Sequence, residues 1–404
     1  MARRNGGFIG TDGLDAPDPP TGVSAASGIG GATVSFTAPT DEGTSAITGF
    51  RAQSNDGIGV TGTSSPINVT GLTDGTNYTF NVWAINAYGY SAPSDVSGTA
   101  TSVTATRMVL AGGIAPSNDS IEYVAEASTG VFADFGDLTA ARYQMLGSCA
   151  STTRCVFTGG EKADGSLSNV LDYITISSTG NATDFGDRAQ KKTGGSSNGT
   201  LGLITGGTDA NENAAATCHQ ITIASTGNST NFAALTVSRS NMASATSTTR
   251  AIIAGGYGSN SSPKYNTIDY HTYSSQNQAL DFGDLSAAKG GVAGASNNTR
   301  AIFGGGNVSG GFGIDTIEYV TMASTGNVAD FGDLTGARIR MAAGSGAIFA
   351  VFTGGSSGSS GAQQVSFSTL GNAANFAADA EAGVSLTGRS QGHTVASNGH
   401  GGIA

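Results

Sequence analysis

Six times between residues 107 and 355 an apolar run stops at a pair of glycines: RMVLAGG, RCVFTGG, LGLITGG, RAIIAGG, RAIFGGG and FAVFTGG. The second glycines are Gly113, Gly160, Gly207, Gly256, Gly306 and Gly355, at steps of 47, 47, 49, 50 and 49 residues. A second marker travels in fixed order with the first. STGVFADFGDLTAAR (128–142) returns as STGNATDFGDRAQKK (178–192), STGNSTNFAALTVSR (225–239), SSQNQALDFGDLSAAK (274–289), STGNVADFGDLTGAR (324–338) and STLGNAANFAADAEAG (368–383). Two markers at one period define a repeat architecture, in which each copy buries its apolar surface only against its neighbours.

Within a period the pattern reads as four short strands. In the fifth copy TRAIFGGG is an apolar strand stopped by glycines, and DTIEYVTMA alternates apolar and polar as a half-buried strand does. STGN makes a turn, VADFGDL is a third strand centred on Phe331, and ARIRMAAGS is a small-residue strand leading into the next copy. Composition agrees: 63 of 404 residues are Gly and 12% are charged, against about 7% and about 25% in average usage. A Gly-rich, charge-poor chain with short apolar runs is expected to be all-β with many tight turns.

The double Gly, the Tyr-containing strand, the following aromatic and Leu-x-x-x-Arg resemble the kelch repeat. Phe135, Phe185, Phe232, Phe282, Phe331 and Phe376 stand where that family usually has Trp. The family's Arg is matched at Arg142, Arg239 and Arg338, with Lys289 in one copy. The resemblance implies a six-bladed β-propeller over residues 103–404. The C-terminal RSQGHTVASNGHGGIA resembles the small-residue strand before each Gly-Gly strand, so residues 389–398 are expected to pair with 107–111 and complete the first blade. Closure of that kind removes the unpaired edges. The repeated Phe and Gly residues then read as scaffold.

Residues 17–102 differ. A Pro-rich start, Phe36, Leu72, Tyr78 in YTF, and the run Asn86-Ala87-Tyr88-Gly89 to Ser91 resemble a fibronectin type III domain. Phe36 takes the place of that family's core Trp, and Leu72 with Tyr78 fits the tyrosine corner of such sandwiches. Tyr78, Phe80, Val82 and Ala84 are expected to face the core. Trp83, the single Trp, then points outward, either over its strand neighbours or against a partner. Residues 1–16, MARRNGGFIGTDGLDA, form an arm with no apolar period, for which Phe8 and Ile9 are the candidate anchors to another protein. The arm followed by this domain resembles structural proteins of marine tailed phages, particularly phages of cyanobacteria.

Net charge is −11 and no Lys/Arg run occurs, so nucleic-acid binding is not expected. No run of 18 apolar residues predicts a membrane span, and no apolar segment follows MARRNGGFIG as a secretory leader would. Cys149, Cys155 and Cys218 show no metal spacing, and His219, His271, His393 and His400 no ligand cluster. No cofactor and no catalytic residue is assigned. A copper oxidase, known among kelch propellers, needs two His, two Tyr and a Cys converging on one site. Asp134, Asp137, Asp184, Asp187, Asp281, Asp284, Asp330 and Asp333 recur with the scaffold and read as turn caps, with calcium at some of them as the competing reading.

The segments that differ between copies follow each Gly-Gly: 114–119, 161–169, 208–216, 257–265, 307–313 and 356–362. They are polar, with Tyr257, Tyr265 and Phe312 as their aromatics. Aromatics among amides and hydroxyls suit a sugar or a protein partner. The expectation is a non-enzymatic virion structural protein, a tail or neck fibre or a head decoration. Its arm and fibronectin-like domain contact other virion proteins, and its propeller faces host surface glycan or protein. An oligomer on the particle is compatible with this. The alternatives are a secreted bacterial adhesin or carbohydrate-binding protein, and a propeller hydrolase acting on polysaccharide.

Overall fold

Alternating apolar and polar residues broken by glycine turns give antiparallel strands almost throughout. A computed structural model describes residues 15–28, 30–73, 76–102, 106–113, 118–125, 132–188, 190–346, 348–355, 361–376 and 392–401. The chain divides into two compact units, Met1–Ala105 and Thr106–Ala404, three residues beyond the boundary expected from sequence.

In the first unit a three-stranded sheet (Thr21–Gly28, Gly31–Thr37, Ile67–Thr70) and a four-stranded sheet (Gly59–Gly62, Gly49–Ser54, Phe80–Asn86, Gly89–Tyr90) enclose one core. The period-2 pattern sets it. Phe80, Val82 and Ala84 are fully buried, while Asn81, Trp83 and Ile85 between them are half-buried. Phe36 packs on Phe50 with ring centroids 4.8 Å apart. Tyr78 is buried, and its hydroxyl accepts from Thr73 N at 2.9 Å, which closes the expected tyrosine corner.

The stretch SAPSDVSG solves an edge problem by a different period. Ser91, Ser94 and Ser97 donate their backbone N–H to Ala84, Val82 and Phe80 carbonyls, at 2.8, 2.9 and 2.9 Å. Their hydroxyls accept from the N–H groups of the same three residues, at 3.0, 2.9 and 3.0 Å. A serine every third residue thus supplies the acceptor that a strand carbonyl would, and no buried N–H of Phe80–Asn86 on that side is stranded.

The second unit holds six four-stranded antiparallel sheets. In the fifth the order is Ala293–Ser296, Arg300–Gly304, Ile314–Thr321, Ala329–Arg338. The small-residue strand comes first in its sheet, so Ala342–Ser345 opens the sixth sheet rather than ending the fifth. The first sheet takes its innermost strand from the other end of the chain: Thr394–Ser397 pairs antiparallel with Arg107–Ala111, with Met108 opposite Ser397 and Ala111 opposite Thr394. Each innermost strand packs against the next: Ser148–Ala150, Gly194–Ser197, Ala243–Thr246, Ala293–Ser296, Ala342–Ser345, then Thr394–Ser397, which packs against Ser148–Ala150. Small side chains are obligatory there. A Cβ on Gly195 would lie 2.3 Å from Ser148 N, and one on Gly294 2.6 Å from Ser244 O. Hydroxyls join the strands: Ser197 Oγ accepts from Ala150 N and donates to Ala150 O, and Ser296 Oγ does the same with Thr246.

Successive sheets are clipped at their outer edges, and the clip explains the second repeated marker. Gly180, Gly227, Gly326 and Gly371 of the STGN-type turns donate N–H to the carbonyls of Phe135, Phe185, Phe282 and Phe331 in the preceding sheet, at 2.6–2.9 Å. The next residue's side chain (Asn181, Asn228, Asn327, Asn372) accepts from the backbone N–H of Asp137, Asp187, Asp284 and Asp333, at 3.0–3.1 Å. The caps are therefore the asparagines, acting across the sheet boundary. The expected capping role of the aspartates survives at Asp184, whose carboxylate accepts from Gly186 N. Among the described boundaries the third-to-fourth is the exception on both sides: NFAAL replaces DFGDL and faces SSQNQ, so both glycines vanish together.

Buried ion pairs form a second tie. Arg142 bonds Asp172 of the next sheet, Arg239 bonds Asp269 at 2.8 Å, and Lys289 reaches Glu318 at 2.7 Å. All six side chains are 0–2% exposed. Removing one partner would leave an uncompensated buried charge, which costs about 3–5 kcal/mol. A third tie is Arg107, Arg154, Arg250 and Arg300. Each lies over a Tyr of its own sheet, 4.3–5.0 Å from the ring centroid, and donates to a carbonyl of the next sheet. The six repeated Phe side chains are 2–6% exposed, and Phe135 packs into the apolar core of the second sheet beside Cys155 and Phe157.

Gly283 has φ +149°, and a Cβ there would lie 2.3 Å from Gly326 O. Gly336, in the outer strand of the fifth sheet, has open space around it. Gly283→Ala is expected to lower Tm by several degrees, because strained backbone and the carbonyl clash each cost on the order of 1–3 kcal/mol. Gly336→Ala is expected to leave Tm nearly unchanged in the same thermal scan.

Candidate functional site

The chain's differences between copies gather where each outer strand turns into the next innermost strand. At that turn one residue is held in the left-handed region: Gln144, Lys192, Asn241, Gly291, Arg340 and Gly392, with φ between +51° and +74°. They hand hydrogen bonds from sheet to sheet. Lys192 N donates to Gln144 O, Asn241 N to Lys192 O, Gly291 N to Asn241 O and Arg340 N to Gly291 O, at 2.9–3.1 Å. Met145 N donates to Gly392 O at 3.1 Å. The residue before each turn bridges to the first residue of a variable loop, as Tyr143 does to Glu161, Lys191 to Thr208, Ser240 to Tyr257 and Gly290 to Asn307. Turns and variable loops therefore share one end of their sheets.

A pocket of about 60 Å³ lies at this end, lined by Asn241, Gly291, Arg340 and the first residues of the innermost strands. A second pocket of about 60 Å³ is lined by all six innermost strands and by His400. His400 Nε2 lies 3.1 Å from both Ser197 Oγ and Ala150 O. Burial pushes its imidazole down to about 4, so it is neutral at physiological pH.

Beside the turns sits a charged network drawn from two successive sheet boundaries and the loops of the second and third sheets. Lys191 Nζ lies 2.5 Å from Glu161 and 2.7 Å from Glu212, Lys192 Nζ lies 2.5 Å from Glu212, and the Tyr143 hydroxyl donates to Glu161. Burial pulls Lys191 down, but the hydrogen bonds and charges of Glu161 and Glu212 outweigh it and hold its ammonium above the ordinary lysine value. Glu212 is held below the usual carboxylate range, since the two lysines outweigh its burial. The hydrogen bond to Glu161 pushes Tyr143 up to about 12. Two ammoniums and two carboxylates saturate one another, so the network is a tie between loops. Composition did not reveal it, because Lys191-Lys192 and Glu212 read as scattered charges.

The three loop aromatics do not share a surface. Phe312 is 72% exposed on a turn held by Gly310 and Gly311 at positive φ, with Val308 N donating to Phe312 O at 3.1 Å. Tyr265 is half-buried, and its backbone bonds Gly256 and Lys289. Tyr257 is corrected: it is 4% exposed, and its ring covers Gly290 of the following turn so closely that a Cβ there would lie 2.6 Å from it. It is a wedge between turns. Sequence missed Arg340, which is exposed and is the one Lys or Arg so placed among the described residues of this unit. The others serve the ties between sheets or are at least half-buried, while Asp134, Asp137, Asp184, Asp187, Asp281, Asp330 and Asp333 are exposed.

In the first unit Trp83 is half-buried opposite Arg51, and Tyr88 and Tyr90 are 47% and 50% exposed just beyond the end of the same strand, where Gly89–Tyr90 pairs with it. Phe8 and Ile9 lie outside the described residues. Cys218 and His271 come to 3.4 Å, a pairing that a nucleophile would use. Both are fully buried, burial pushes the thiol up to about 12 and the imidazole down, and the Phe232 ring caps His271, so this pair is core. Among the described residues no cluster of three His, Cys, Asp or Glu is placed to hold a metal ion, and no helix is long and apolar enough to cross a membrane.

Residues 18–100 match the fibronectin type III domain family, and the first unit is such a domain. A search of curated proteins gives no match to the chain.

The network sets a pH window. Lys191, raised, contributes stability that is complete below its unfolded value and is lost as pH rises through the folded one; Glu212, lowered, contributes stability that is lost as pH falls through its folded value. Lys191→Met is expected to lower Tm at pH 7 by about 2–4 °C, the shift that roughly 1 kcal/mol produces in a domain of this size. The difference from the unaltered protein should shrink as pH falls through the lowered folded value of Glu212, as a pH series of differential scanning calorimetry would register.

Proposed function

We propose that the chain is a non-enzymatic virion structural protein of a tailed phage, a fibre or a capsid decoration. In this reading the second unit is a six-bladed kelch-like propeller, residues 1–16 and the fibronectin type III domain contact other virion proteins, and the propeller meets the host surface. The observation that carries the reading is where the chemistry goes. The recurring Arg, Lys and Asn side chains, with Asp172 and Asp269 and the backbone of the repeated glycines, are committed to ties between neighbouring sheets, and what differs from copy to copy emerges at one end, with Phe312 and Arg340 open to solvent. A scaffold that spends its charges on rigidity and varies only its loops suits display. The adjacency of Thr394–Ser397 to both Ala342–Ser345 and Ser148–Ala150 supports a propeller closed by its C-terminal strand. Weak loop contacts gain strength when many copies on one particle act together.

Peptide mass spectrometry on density-purified virus particles from the source culture tests this. Recovery at tens to hundreds of copies per particle is the expected result. Absence from particles, with the protein free in the medium, would replace the reading with a secreted adhesin or carbohydrate-binding protein.

A further inference from the structure

The repeats act as one another's controls, and two boundaries among the described residues replace the acid of the buried ion pair: Gln363, opposite Phe352, holds its position beyond Arg338, and the boundary between the second and third sheets departs further. Three boundaries place a cation from one sheet against a carboxylate of the next: Arg142 with Asp172, Arg239 with Asp269, Lys289 with Glu318. Between the second and third sheets the cation arrives and the carboxylate does not.

The cation arrives by an altered route. From the repeated Phe to the left-handed turn residue is nine positions in four copies, as from Phe232 to Asn241, but seven from Phe185 to Lys192. The deletion removes the usual Arg position, and Arg188 fills the space from a position that carries Leu elsewhere (Leu138, Leu235, Leu285, Leu334). Its guanidinium reaches an equivalent place. Arg188 Nη2 donates to Gly206 O at 3.1 Å and Thr217 O at 3.4 Å, where Arg239 Nη1 donates to Gly255 O and Thr267 O. Arg188 also donates to the Gln190 side-chain oxygen.

The acid's position is taken by His219. It lies opposite Ile204 as Asp269 lies opposite Ile253, and its Nδ1 is 3.1 Å from Ser229 Oγ. Arg188 is 6% exposed, and its Nε and Nη1 have no hydrogen-bond partner. Burial lowers the guanidinium to about 10, which leaves it charged at neutral pH. Cys149 and Cys218 lie close enough to act on it electrostatically, but burial pushes both thiols up to about 12, so neither supplies negative charge. His219, lowered by burial and by Arg188 itself, supplies none either. An unpaired buried ion costs several kcal/mol.

We propose that a small monovalent anion, chloride in ordinary media, binds Arg188 at the boundary between the second and third sheets, in place of the carboxylate that this boundary lacks. The guanidinium Nη1 donates to it, and the neutral thiols of Cys149 and Cys218 lie close by as soft, polarizable atoms.

Crystals of the full chain soaked in bromide provide the direct test. A bromide anomalous peak within hydrogen-bonding reach of Arg188 Nη1 is expected. In solution, replacing chloride by gluconate at equal ionic strength should lower Tm, and titrating chloride back should restore it saturably, as a ligand that binds only the folded state does. His219→Asp, which supplies the missing carboxylate, should raise Tm in gluconate and abolish the chloride response. A water at Nη1 with no bromide signal overturns the proposal, as does a chloride response unchanged in His219→Asp. A bromide peak with no chloride dependence of Tm means binding at crystal concentration only, which also overturns it. The bromide experiment uses the unaltered chain, so a misfolded variant would not leave the question undecided.

Discussion

The sheets of the second unit complete one another's hydrogen bonding. In four of the six sheets the outer bulge offers a Phe carbonyl and an Asp N–H that are satisfied by the turn of the next sheet, and the turn's glycine must enter where only a glycine stands opposite. Everything else in the unit follows from that mutual dependence. The buried Arg–Asp and Lys–Glu pairs, the arginines laid over tyrosines and the serine hydroxyls between innermost strands all span the same boundaries. Folding such a unit is cooperative between neighbours, since a sheet without its neighbour leaves both bonds and charges unmet.

The same economy shapes the surface. Bases are drawn inside as ties, and acids of the repeat remain outside, so the exterior is more acidic than a net charge of −11 implies. Such a surface is soluble and repels anionic polymers. Among the described residues of this unit, Arg340, exposed beside the turn pocket, is the exception.

Period and spacing made the strands, their order and the pairing of the C-terminus with Arg107–Ala111 legible in the sequence, because alternation and small-residue runs act locally. The tyrosine corner and the Phe core were legible for the same reason. The partner of each repeated group was not. That Asn327 caps Asp284, or that Arg142 meets Asp172, depends on which copy lies beside which, and a repeat looks the same whether its groups bond within a sheet or across a boundary. The loop aromatics failed on another point: Tyr257 and Phe312 sit in equivalent loops, and only the packing on Gly290 turns one inward. Charges paired at a distance, such as Lys191 with Glu161, carry no local pattern at all.

The central claim is that the second unit is one cooperative structure whose first and last strands are joined. Native-state amide hydrogen exchange measures it most directly. Met108–Ala111 and Thr394–Ser397 should exchange as slowly as central strands such as Arg250–Ala254, with the same opening free energy. Fast, independent exchange at Thr394–Ser397, with Arg250–Ala254 still protected, would contradict the account.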